Sequence, residues 1–145
     1  MVINQRLRLA SLILAFAGFI DACYLIWIKI SQNQALCFIN GGDCVSVNNS
    51  KYSEIFGIPV SVLGALTYLA IFLIFLVDQK IVFFRENGSL VVFGLALVGV
   101  MYSAYLTYIE IAVLRTICPF CVISAIIIFL IFVLSIVRLT RSQAA

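Results

Sequence analysis

Four apolar runs constrain this chain more than any other feature. They cover about residues 7–28, 57–77, 89–109 and 119–137, each about 19 to 22 residues long. A helix of about 20 apolar residues crosses a hydrocarbon core of about 30 Å. In lipid each backbone N–H and C=O must be bonded within its own segment or a closed barrel, so runs of this kind fold as helices. Charged residues make up only 10% of the chain, against about 25% in an ordinary soluble domain. The expected fold is therefore all-α, an integral membrane four-helix bundle forming one domain over residues 1–145. The first run is too long for a cleaved leader and lacks a small-residue cleavage site, so it reads as a span.

Between the runs lie a polar loop, 29–56, a charged turn, 78–88, and a short connection, 112–117. Arg6, Arg8, Lys80, Arg85, Arg138 and Arg141 fall on one side of such a bundle. Lys29, Lys51 and Arg115 fall on the other, beside Asp43, Glu54 and Glu110. The excess of basic residues marks the cytoplasmic side. Both termini are then cytoplasmic in a multi-pass protein of the cell inner (plasma) membrane. The 29–56 loop and the 112–117 connection share the outer face, where disulfides form and persist. A net charge of +3 is too small to suggest a nucleic-acid partner.

The five cysteines concentrate the chemistry. Cys118-Pro119-Phe120-Cys121 opens the fourth run. Proline suits the first helical position, where its missing N–H would be unbonded anyway. Cys118 then takes the N-cap and Cys121 the third helical position, both near unpaired N–H groups and the positive end of the helix dipole. That setting favours thiolate, the species that attacks disulfides. A structural disulfide is the competing reading. Cys37 and Cys44 lie in the outer loop with Gly41-Gly42 between them, so the chain can turn back and let the sulfurs meet. Two dithiol pairs on one face suit a relay by thiol–disulfide exchange. The fifth, Cys23, reads as a small buried apolar residue.

Electrons reaching Cys118 and Cys121 need an acceptor. The chain has no His, and shows no metal cluster, nucleotide fold or haem motif. A lipid-soluble quinone between apolar helices is the economical choice. Cys121 would face it, and Ser50, Tyr52, Phe56 and Ser61 could supply stacking and hydrogen bonds. Interfacial anchoring is the competing reading of the aromatics. Asp21 sits inside the first span, where a carboxylate is a functional candidate by default. Gly94 and Gly99 on the third run suit close helix packing. Tyr24 precedes Cys37 and Tyr105 precedes Cys118 by the same thirteen residues, a weak internal repeat.

Taken together, the paired loop cysteines, Asn49-Ser50-x-Tyr52-Ser53-x-x-Phe56-Gly57-Ile58-Pro59, Tyr105-Leu106-Thr107-Tyr108-Ile109 and Cys118-Pro119-Phe120-Cys121 resemble the vitamin K epoxide reductase family, in its bacterial branch, over roughly positions 7–138. The resemblance implies four helices around a ubiquinone- or menaquinone-type quinone, with a short half-helix within residues 50–57. It implies an active-site disulfide between Cys118 and Cys121, with Cys121 beside the quinone. Cys37 would exchange with a partner's thiols and Cys44 would pass electrons to Cys118. Ser50 matches the family's loop hydroxyl, Tyr52 and Phe56 its aromatics over the quinone, and Ser61 and Leu63 complete the expected quinone-contacting set. Many bacterial members carry a thioredoxin-like domain after the last helix. This sequence ends at Ala145, so the expected partner is a separate thioredoxin-fold protein on the outer face. Val60 stands where vertebrate members use Asn for the vitamin K head group, which favours a plain quinone as substrate.

The expected activity is thus that of a membrane thiol:quinone oxidoreductase supporting disulfide-bond formation. The other bacterial four-helix thiol oxidase family carries its Cys-x-x-Cys in the first outer loop, the reverse of the order here. A soft-metal-binding or transport protein using the cysteines as ligands is the alternative; the chain has only two Met and no His to accompany them.

Overall fold

A computed structural model of the chain describes residues 2–31, 47 and 49–144. Cys37 and Cys44 lie outside the described residues. Helix α1 runs Val2–Ser31. A single 3-10 turn, Lys51–Ser53, leads into a two-stranded hairpin, β1 (Glu54–Ile55) and β2 (Ile58–Pro59). Helices α2 (Val60–Val77) and α3 (Val82–Ile109) follow, then a π-helical turn, Glu110–Leu114, and α4 (Pro119–Ala144). Among the described residues, four helices are long and apolar enough to cross a membrane. The fold is all-α apart from the small hairpin.

The helices alternate in direction, and α1 packs on α2 and α4 while α3 packs on α4 and α2. The main core gathers Ala15, Ala22, Ala65, Tyr68, Ile71, Phe75, Val92, Ala96, Ile128 and Ile131. Two close approaches depend on missing side chains. A Cβ on Gly18 would run into the Tyr68 ring, and one on Gly99 would stand 2.8 Å from Ile128. Gly94, the other glycine read as a packing residue, has nothing within 4 Å of where its Cβ would be.

Helix ends depart from the ends of the apolar runs. The charged turn read over 78–88 is confined to 78–81, because α3 already starts at Val82. Arg85 and Glu86 are good helix formers, and nothing in 82–88 prevents intrahelical bonding once the chain has turned. Likewise α4 continues through Arg138 and Arg141. Polarity ends a membrane span but not a helix.

The expected half-helix within 50–57 is the 3-10 turn Lys51–Ser53, and the hairpin completes that segment. Glu54 pairs with Pro59 and Ile55 with Ile58, leaving Phe56-Gly57 as a two-residue loop. Both have positive φ, 52° and 79°, as a type I′ turn requires. Glycine adopts this freely; for Phe56 it costs about 1–2 kcal/mol.

Candidate functional site

The first turn of α4 builds the centre. Pro119 is its first residue, so Cys118 occupies the N-cap and Cys121 the third helical position. The Cys118 carbonyl accepts the first helical bond, from Val122 N–H at 3.1 Å. The Cys118 sulfur accepts the Cys121 N–H at 3.4 Å. In this way the sulfur satisfies a donor that would otherwise be unpaired. The two sulfurs stand 2.7 Å apart, so the pair can join without rearranging the backbone.

Glu110 organises the approach to that turn. It is only 2% exposed. Its Oε2 accepts the Cys118 N–H at 3.1 Å. Its main-chain carbonyl accepts the N–H groups of Arg115 and Thr116. Arg115, at φ 52°, ends the π turn in the left-handed region. One residue therefore closes the π turn with its backbone and caps α4 with its side chain. The sequence alone suggested an outer-surface charge. The useful signal is its place, directly after an apolar helix and eight residues before Cys118.

Cys118 is fully buried. Leu25, Ile28 and Val47 cluster with it, and Tyr24, Leu114, Phe120 and Cys121 pack around them. The Tyr24 and Phe120 rings lie 4.8 Å apart. Cys121, by contrast, opens onto a cavity of about 280 Å³ between the helices. Ala22, Leu25, Val60, Leu63, Leu95, Val98, Leu106 and Ile128 give it an apolar wall; Ser61, Thr67, Tyr68, Tyr102, Ser103, Thr107, Glu110 and Ser124 give it polar edges. Most of those polar groups are engaged. Thr67 donates to the Leu63 carbonyl, Thr107 to that of Ser103, Tyr102 to that of Tyr52, and Tyr68 bonds Ser124. Ser61 Oγ is buried and has no partner among the described residues. A ligand with an apolar body and a polar edge suits such a lining.

Of the expected quinone-contacting residues, Cys121, Ser61 and Leu63 line this cavity. Ser50, Tyr52 and Phe56 stand outside its lining. Ser50 Oγ donates to the Val47 carbonyl at 2.8 Å and shapes the turn. Tyr52 contributes its carbonyl to Tyr102 at 2.9 Å. Phe56 is 100% exposed at the hairpin tip. Tyr68, Tyr102, Thr107 and Ser124 join the cavity from positions that sequence reasoning did not single out. A polar residue every turn or two of an apolar helix was the available signal.

Asp21 precedes the cavity-lining Ala22 on α1. It is 9% exposed, and its Oδ2 has no partner among the described residues. Cys23 corrects its sequence reading: it is exposed on the outside of α1, where the helical period turns it away from buried Ala22 and Leu25. Among the described residues, no group of three or more Cys, Asp or Glu side chains is placed to hold a metal.

A model of the vitamin K epoxide reductase family matches residues 9–136. The thiol-disulfide oxidoreductase LTO1 of Arabidopsis thaliana is 33% identical over 122 residues, covering 81% of this chain. The chain spans about a third of that relative's length, 32%.

Proposed function

From the premise that the chain belongs to the vitamin K epoxide reductase family, we propose that it is a membrane thiol:quinone oxidoreductase. Residues 1–145 act as one transmembrane domain with both termini in the cytoplasm and the cysteine pairs outside the plasma membrane. The observation that carries the reading is the helix-capping Cys118–Cys121 pair, with Cys121 opening onto a largely apolar cavity. Ser61 Oγ, buried and without a partner among the described residues, fits a ligand carbonyl, and the apolar wall fits a ring and its tail. A ubiquinone- or menaquinone-type quinone held there supplies a two-electron, two-proton acceptor.

The chain's own steps follow from thiol–disulfide exchange. A thiolate of a separate thioredoxin-fold partner attacks Cys37 of a Cys37–Cys44 disulfide, and Cys44 leaves as thiolate. Resolution by the partner's second thiol frees Cys37 and leaves the partner oxidised. Cys44 then attacks Cys118 of the Cys118–Cys121 disulfide, and Cys121 leaves as thiolate. Val47, three residues after Cys44, packs on Cys118; three residues of chain span at most about 11 Å. Glu110 holds the Cys118 N–H, and with it the N-cap, in place. Cys37 then attacks Cys44 of the Cys44–Cys118 disulfide, which re-forms Cys37–Cys44 and releases Cys118. The two electrons taken from the partner's dithiol then rest on the Cys118 and Cys121 thiols, available with two protons to a quinone held in the cavity.

The test is reduction of benzoquinones and naphthoquinones by the purified protein, with dithiothreitol as donor, followed by ultraviolet absorbance. Wild type turns over and Cys121→Ala does not. Cys37→Ala, which removes the thiol that resolves the mixed disulfide, accumulates a Cys44–Cys118 disulfide on non-reducing gels. A wild type inert toward both quinone classes would overturn the proposal.

A further inference from the structure

At the end of the bundle opposite Cys118, a second cavity of about 180 Å³ lies among three arginines and a carboxylate. Arg8, Phe75, Asp78, Arg85, Ser89 and Arg138 are its principal lining. Arg8 is committed. Its Nε and Nη2 both donate to the Phe75 carbonyl, at 3.0 and 2.7 Å, near the C-terminus of α2. Its Nε also lies 3.1 Å from Asp78 Oδ1, an ionic contact rather than a directed bond, since the N–H points at the carbonyl.

Arg138 is only half committed. Its Nη2 is 3.5 Å from Asp78 Oδ2, and its guanidinium lies over the Phe75 ring, 4.7 Å from the centroid. Its Nη1 is buried and has no acceptor among the described residues. Arg85, in the first turns of α3, lines the same cavity and makes no side-chain hydrogen bond or ion pair among the described residues. Three guanidiniums thus face one carboxylate, leaving two positive charges in excess. A buried guanidinium N–H without an acceptor is unfavourable, and planar guanidinium forks match phosphate oxygens.

We propose that this cavity binds a phosphate group, held by Arg85 and Arg138 with Ser89 as a hydroxyl donor. Its position at the ends of four apolar helices puts it at head-group depth, where basic pockets between helices capture anionic lipids. The phosphate comes either from such a lipid or from solution. The site is at the opposite end of the bundle from Cys118 and Cys121 and independent of the redox reading.

The experiment measures thermal unfolding of the full chain in neutral detergent with added phosphatidylglycerol, phosphatidylcholine or inorganic phosphate. Phosphatidylglycerol raises the midpoint in wild type and in the control Arg6→Gln, a charge at the same end of the bundle that is not part of the cavity lining. In Arg85→Gln the concentration giving half the shift rises about tenfold, as expected for one lost charge-assisted bond. Arg85 is exposed and has no side-chain partner among the described residues, so this variant folds. A shift with inorganic phosphate as well assigns the source to solution; a shift with phosphatidylglycerol alone assigns it to the lipid. Equal responses of Arg85→Gln and wild type, or no selectivity for phosphatidylglycerol or phosphate over phosphatidylcholine, would overturn the site.

Discussion

Glu110 shows how one side chain can set the geometry of a thiol it does not react with. A carboxylate is costly to bury unless its hydrogen bonds are met. Here it accepts the Cys118 N–H, a helix-terminal donor that has no partner within α4. Removing the acceptor leaves that N–H buried, because Cys118 is fully covered. Glu110→Ala should therefore cost about 1–3 kcal/mol. Glu110→Gln keeps a carbonyl oxygen in the same place, and should cost less than about 1 kcal/mol. Thermal unfolding by circular dichroism separates the two. Equal losses would mean that the negative charge, and not a neutral acceptor oxygen, is what matters at this position.

At the scale of elements, the helices are spaced by what is absent from them. Gly18 lies against the Tyr68 ring with no room for a methyl group, whereas Gly94 has open space. Gly18→Ala should destabilise by about 1–3 kcal/mol through overpacking. Gly94→Ala should stabilise by about 0.5–1 kcal/mol, because alanine loses less backbone entropy in a helix. Melting both variants in one detergent checks the contrast; a gain in both would show that α1 and α2 can move apart. The sequence made the four helices legible because lipid permits nothing else for such runs. It placed Cys118 and Cys121 correctly, because proline at the first helical position fixes the cap. It could not distinguish Gly94 from Gly99, since a glycine does not record which neighbour it faces. The place of Phe56 was also not legible: nothing in its aromatic character announces the positive φ that sets it at the exposed tip of the hairpin. Glu110 read only as a charge on the outer side, because the π turn that buries it has no signature in residue type.

The whole molecule is electrically lopsided, and the proposed redox role depends on which way it points. At the Cys118 end, Lys29 is paired with Glu54 at 2.8 Å, leaving Lys51 and Arg115 as the other described cations. At the opposite end Arg6, Arg8, Lys80, Arg85, Arg138 and Arg141 face only Asp78 and Glu86. Translocating the second set would be the costlier choice, so that end should stay in the cytoplasm. Green fluorescent protein fused after residue 145 should fluoresce in cells, and alkaline phosphatase fused there should be inactive. Phosphatase fused at Lys51 should be active, since it needs an oxidising compartment to form its own disulfides. The reverse pattern would place Cys118 and Cys121 on the reducing side, where disulfides formed on a partner would be reduced again. It would exclude the proposed direction of electron flow even if the quinone chemistry were intact.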